Sequence, residues 1–169
     1  MKSNDQPKET IHKQTHRNVI SSFTGKYAFL SNFYQAPISY MGQVYANSET
    51  AFQAQKTFSA KEQQQFTIFR MHNPAEAKKR GRTLTLRPDW DVVKVRLMYE
   101  ICMCKFLQNP ELRQALLETG DCILVEENTW GDSFWGTVNG RGENQLGRIL
   151  MDVRAKLRWD VEISKVLAC

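Results

Sequence analysis

The chain has 169 residues, of which 41% are hydrophobic and 11% aromatic, and carries a formal net charge of +5. That length suits one compact domain with a real core and is short for two, and no apolar run approaches the roughly 18 residues a membrane span needs. Two of the three histidines, His12 and His16, fall in the first seventeen residues, and the four cysteines (102, 104, 122, 169) show no CxxC spacing, so a zinc site or a Ser-His-Asp triad has little to be built from and hydrolysis here would run on Asp and Glu, with no metal or cofactor.

The first element is a tail. Within MKSNDQPKETIHKQTHR only Ile11 is aliphatic beyond Met1, too little burial to offset the entropy of ordering. We therefore expect residues 1–20 to be disordered and 21–169 to form the domain. The tail has no apolar h-region and is neither Ser-rich nor acid-poor, which argues against a secretory signal or transit peptide and makes the cytoplasm the expected location. Without the tail's cations the remainder is only mildly basic, which weighs against a general nucleic-acid binder.

From Phe23 to Tyr45, aromatic and β-branched positions are punctuated by Gly25, Asn32, Pro37 and Gly42, the pattern of a small antiparallel sheet or hairpin. Asn47-Ser48 then offers an N-cap, and the run that follows predicts a helix from Ser48 to Phe58 with Glu49 in its first turn. Asn73-Pro74-Ala75-Glu76 starts a short helix that stops at Gly81. Lys78, Lys79, Arg80, Arg82 and Arg87 lie within ten residues, suited to phosphates or simply to a solvated face.

The segment 88–108 carries Val92, Val95, Tyr99, Cys102 and Phe106 at three-to-four spacing and predicts a long central helix. Asn109-Pro110 opens another, running to Gly120, and 122–126 reads as a strand. Residues 128–143, rich in Gly, Asn and Trp, are too punctuated for a regular element, and Asn144 is placed to cap a last helix with Leu146, Ile149, Leu150, Val153 and Leu157 on one face. The expected fold is mainly α with a small antiparallel β component.

Two acids stand out. Glu49 at a helix start sits where free N–H groups and the helix dipole favour an ionised carboxylate, which suits charge stabilisation. Asp132 lies in Trp130-Gly131-Asp132-Ser133-Phe134-Trp135-Gly136, where aromatic walls would desolvate it and help it keep a proton. Trp90, just inside the long helix, reads first as a core anchor and second as a stacking surface. Arg141-Gly142-Glu143-Asn144 lacks the GxxxxGK[ST] pattern of a phosphate loop.

Phe29-Leu30-Ser31-Asn32-Phe33, Tyr45-Ala46-Asn47-Ser48-Glu49, Phe52-Gln53-Ala54-Gln55-Lys56, Gly81 before Trp90, Lys105-Phe106, Glu126, Asp132 with Trp135-Gly136, and Gly142-Glu143-Asn144-Gln145-Leu146-Gly147 occur in this order. Together they resemble the YbiA-like family, also called NADAR proteins, over residues 23–158. The resemblance implies a mainly α single domain that cleaves N-glycosidic bonds, with two substrate directions. One is removal of ribose 5-phosphate from early riboflavin-pathway pyrimidines; the other is release of ADP-ribose from modified guanine, in some cases on DNA. It implies Glu49, Trp90 and Asp132 at the catalytic centre and Asn32, Phe33, Lys56, Trp135 and Asn144 in the pocket. For such a substrate the charge of Lys56 and of the basic run, Arg82 among it, is suited to meet phosphate. The expected partner is a small phosphoribosyl or ADP-ribosyl molecule or ADP-ribosylated DNA, and no membrane. A departure from the family pattern is Thr50, where a His commonly follows the helix-start Glu. The alternative is a non-catalytic module that binds ADP-ribose or a related nucleotide.

Overall fold

The structure is a computed structural model that describes residues 18–167, with side chains through Ser164. A long helix, α4 (Trp90–Gln108), runs through the middle and buries Trp90, Val93, Leu97, Ile101, Cys102 and Phe106 among others. That spacing keeps one broad stripe against the core, shifted round the helix from the expected one: Val93, Leu97 and Ile101 lie at its centre, whereas Val92 is exposed. Onto it packs α6 (Gln145–Leu167), whose Leu146, Ile149, Leu150, Val153 and Leu157 are all buried. Each fully buried aliphatic side chain contributes roughly 1.5–3 kcal/mol, so the α4–α6 contact is the main seam of the domain.

Between them in sequence, α5 (Pro110–Glu118) turns back at Asn109-Pro110 and buries Leu112 and Leu116. Proline at a first helical position continues poorly from the preceding helix and starts the next one well. On the other side of α4 lie α1 (Ser48–Ala54) and, packed on α1, α3 (Pro74–Arg80). A single turn, α2 (Ala60–Gln63), capped by the Ser59 side chain, and a 3-10 turn at Gln64–Phe66 fill the connection; neither is evident from the sequence.

The expected hairpin is present as β2 (Ile38–Tyr40) and β3 (Gln43–Tyr45), antiparallel. A second pair is parallel: β1 (Val19–Ile20) lies beside β4 (Ile123–Leu124). The disordered stretch expected over 1–20 lies outside the described residues as far as 17, but Val19 and Ile20 belong to the fold, with Ile20 buried against the core.

Two other boundaries differ from the sequence reading. Gly25–Leu30 is a 3-10 helix rather than an extended piece, because Lys105, seventy-odd residues away, takes the carbonyls of Phe29 and Ser31. α1 ends at Ala54 rather than at residue 58. There the Lys56 carbonyl accepts the Arg87 backbone N–H at 2.8 Å, which turns the chain out of the helix.

Candidate active site

The first turn of α1 is closed by a capping box: the Asn47 side chain accepts the Thr50 N–H at 2.9 Å, and Thr50 Oγ1 sits within hydrogen-bonding distance of the Asn47 N–H. The next free donor, the N–H of Glu49, goes to the backbone carbonyl of Asn32 at 3.1 Å. With the orphan donors of the helix start satisfied in this way, the Glu49 side chain is free to turn inward. It is 6% exposed, and Gln53 one turn on donates Nε2 to its Oε1 at 2.8 Å.

Asn32 is held from α4. Its amide donates to Met98 Sδ at 3.2 Å, and the nearby carbonyls of Phe29 and Ser31 accept from Lys105 Nζ at 2.6 and 2.9 Å. Lys105 is fully buried, and that burial pulls its ammonium down to about 8.

The second acid comes from the loop after β4. Asn128 folds this loop on itself: its side chain donates to the carbonyls of Asp132 (2.8 Å) and Thr137 (3.0 Å) and accepts the Asp132 N–H (3.0 Å). Asp132 Oδ1 in turn accepts the Trp135 N–H at 2.9 Å. Gly136 is required here, since a β-carbon would stand 2.1 Å from the Glu126 carbonyl.

These pieces enclose a cavity of about 750 Å³, within the usual range of small-molecule sites. Glu49, Gln53 and Lys56 come from α1 and the turn after it, Trp90, Lys94 and Met98 from α4, and Lys78 and Arg82 from the end of α3 and just beyond. Glu126, Trp130, Asp132 and Trp135 close the opposite side, and Asn32 and Phe33 complete the rim. The apolar floor is a ring cluster: Phe52 lies 5.0 Å from Trp90 and 5.3 Å, edge-on, from Trp135.

The charges are coupled across this space. Burial pushes the Glu49 carboxyl above its ordinary range, opposite to the ionisation expected from its place at a helix start, where the Glu49 and Thr50 N–H groups are taken by the Asn32 carbonyl and the Asn47 side chain; the Gln53 hydrogen bond and the nearby Lys78 and Lys56 oppose the rise, and Asp132 adds to it. Burial lowers the Lys56 ammonium, and Glu49 supports it. Glu126 is pushed up to about 7, first by burial and then by the negative charges of Asp132 and Glu49, with Lys78 opposing. Among the described residues no three His, Cys, Asp or Glu side chains gather closely enough to hold a metal ion.

The model of the NADAR domain matches residues 13–158. The chain belongs to the NADAR domain family. An N-glycosidase from Nostoc punctiforme is 40% identical over 78% of this chain and 86% of its own length. The N-glycosidase YbiA of Escherichia coli is 38% identical over 80% of this chain and 85% of its own. The NMR structure of the Escherichia coli YbiA protein superposes with a TM-score of 0.73 at 34% identity, covering 87% of this chain and 92% of that one. A riboflavin biosynthesis protein of Vibrio vulnificus is 39% identical over 78% of this chain, which spans 36% of that protein.

Within this NADAR domain the sequence-derived candidates Glu49, Trp90, Asp132, Asn32, Phe33, Lys56, Arg82 and Trp135 all line the cavity. Trp90 serves both readings at once, being 9% exposed and packed on Phe52 while also lining the cavity. Asn144 is the exception and does not line it. Its side chain is committed to the backbone on either side of Val125, donating to the Leu124 carbonyl at 2.9 Å and accepting the Glu126 N–H at 3.0 Å. Thr50, where the resemblance leads us to expect His, is 0% exposed inside the capping box and off the cavity wall.

Glu126, Gln53, Lys78 and Lys94 also face the cavity. Lys78 belongs to the basic run suited to phosphates, and Gln53 has a local signal, its position one turn beyond Glu49. Glu126 stands among the residues that carry the family resemblance, but no local pattern gives it a role, because its placement depends on β1–β4 pairing and on Asn144. Lys94 has no such signal.

Among the described residues no helix is long and apolar enough to cross a membrane.

Proposed function

We propose that this chain hydrolyses the C1′–N bond joining a ribose to a ring nitrogen, in a substrate that carries phosphate on the ribose: a phosphoribosyl or an ADP-ribosyl N-glycoside. Hydrolysis of a glycosidic bond is the activity shared by its N-glycosidase relatives. The observation that carries the reading is that Glu49 and Asp132, eighty-odd residues apart in sequence, line one aromatic cavity together with Lys56, Lys78 and Arg82.

Breaking a ribose C1′–N bond builds positive charge on the sugar. An anionic carboxylate beside C1′ stabilises that charge, and a second carboxylate can take a proton from the attacking water. Glu49, steadied by the Gln53 amide, suits the first role, and Asp132, whose Oδ1 accepts the Trp135 N–H, suits the second rather than the proton-keeping role expected of it from its aromatic neighbours. Trp90 and Trp135 offer faces for the leaving base, and Lys56, Lys78 and Arg82 offer cations for a 5′-phosphate or diphosphate.

The experiment is direct. The purified chain is incubated separately with the phosphoribosylated pyrimidines of early riboflavin synthesis and with DNA carrying ADP-ribosylated guanine, and the products are weighed by mass spectrometry. Release of free base and ribose phosphate, or of unmodified guanine DNA and ADP-ribose, supports the reading and selects the substrate. Tight binding of ADP-ribose without any release in either reaction favours a binding module instead.

A further inference from the structure

Three carboxyl groups face this cavity, and hydrogen bonds divide them. Glu49 Oε1 receives the Gln53 amide at 2.8 Å, and Asp132 Oδ1 receives a backbone N–H at 2.9 Å. Both are acceptors held by donors. The Glu126 carboxyl receives no hydrogen bond and no ion pair from any described residue, although it lines the same cavity.

Its backbone, by contrast, is pinned on both sides. The Glu126 N–H goes to Asn144 Oδ1 at 3.0 Å and its carbonyl accepts the Thr137 N–H at 2.8 Å. The fold therefore fixes where this side chain starts while leaving its acid group unengaged. A proton donor needs both features, a fixed origin and an O–H free to reach substrate.

We infer that Glu126 is the general acid of this site, the group that protonates the ring nitrogen as the ribose C1′–N bond breaks. The charged groups facing it are Glu49 and Lys56 from α1 and its following turn, Lys78 and Arg82 from the α3 end, Lys94 from α4 and Asp132 from the loop. Burial and the two neighbouring carboxylates outweigh Lys78 and keep the proton on Glu126 up to about pH 7.

The step balances with water as the only co-reactant. The C1′–N bond breaks with its electron pair passing to nitrogen, which takes the Glu126 proton. The cationic C1′ takes the oxygen of water, whose proton passes to Asp132. The products are a ribose with a C1′ hydroxyl and a base with an N–H; the proton on Asp132 is lost to solvent and one returns to Glu126. This assignment rests on the N-glycosidase reading above.

The test uses the full chain and whichever of the two substrates it turns over, with kcat and KM followed from pH 5 to pH 9. For the unmodified protein kcat falls as pH rises through about 7. Glu126→Gln, which keeps shape and cannot donate an acid proton, lowers kcat about 10²–10⁴-fold, abolishes that alkaline fall and changes KM little. Glu126→Asp restores part of the rate together with the fall. A Gln variant within threefold of the original rate, or one that is slower but keeps the alkaline fall, overturns the assignment while leaving the glycosidase reading intact. No base release by the unmodified protein from either substrate overturns the glycosidase reading and the Glu126 role with it.

Discussion

Gly81, at the end of α3, approaches the Gln53 amide so closely that a β-carbon on Gly81 would lie 1.8 Å from Gln53 Oε1. The absence of a side chain at position 81 thus shapes the hydrogen bond on Glu49, since the same amide donates to Glu49 through Nε2. Gln53 Oε1 is buried and has no hydrogen-bond partner among the described residues. Nothing else holds the amide if it is pushed.

Gly81→Ala is therefore expected to act on catalysis more than on folding. The backbone there is right-handed, with φ −58°, so alanine is not strained by its own conformation. Its methyl displaces Gln53 and removes a hydrogen bond to a charged acceptor, worth about 1.5–3 kcal/mol. Substrate turnover should fall about 10–100-fold while thermal melting shifts little; an unchanged kcat would show that Gln53 does not steady Glu49.

Glu126 sets a pH-dependent stability. Its carboxyl titrates higher in the folded chain than in the unfolded one, from an ordinary 4.5 to about 7. The neutral form is thus favoured by folding, so its stabilising effect is complete below about pH 4.5 and is lost as pH rises through 7. A tenfold change in proton affinity is worth about 1.4 kcal/mol, so the loss is about 2–4 kcal/mol. Glu126→Gln should melt higher than the parent at pH 8 and at nearly the same temperature at pH 4, read by circular dichroism. A variant that melts lower than the parent at pH 8 would contradict this.

Lys105 holds the loop that carries Asn32. Replacing it by Met keeps most of the volume but strips the buried Phe29 carbonyl of the Lys105 donor and leaves the part-buried Ser31 carbonyl with the Tyr34 N–H. Leaving a buried carbonyl unpaired costs about 1–3 kcal/mol. Lys105→Met is expected to lower denaturation stability by about 1–3 kcal/mol and to weaken turnover as well, because the loop whose Asn32 carbonyl fixes the Glu49 N–H is held less firmly. Normal stability in urea would refute it.

Trp130 stands at the cavity wall with 65% of its surface exposed. A large ring left open to water beside a cavity is suited to stacking on a base. Trp130→Ala should leave melting unchanged within about 0.5 kcal/mol, as for other surface positions, and raise KM about fivefold or more, the equivalent of ~1 kcal/mol of stacking. An unchanged KM for the preferred substrate would remove Trp130 from recognition.

Much of this site is written locally. α4 and α6 announce themselves through three-to-four spacing of Leu, Ile and Val. Glu49 is legible because Asn47 marks a helix start, and Asp132 because glycines and tryptophans surround it. What is not legible depends on contacts distant in sequence. Lys105 looks like any helix cation until the carbonyls of Phe29 and Ser31 meet it. Asn144 looks like a pocket residue or a helix cap, yet both ends of its amide serve the backbone from the end of β4 to Glu126. Glu126 itself gains its position only when Val19–Ile20 pair with Ile123–Leu124.

The claim on which the rest depends is that the Glu49 carboxylate steadies a cationic ribose. The measurement that tests it most directly is single-turnover release of free base by the parent chain and by Glu49→Gln, at saturating protein, with melting curves to confirm that both are folded. The variant is expected to bind substrate still and to melt no lower than the parent, but to release base about 10²–10⁴-fold more slowly. A folded Glu49→Gln protein that releases base at the parent's rate would contradict it.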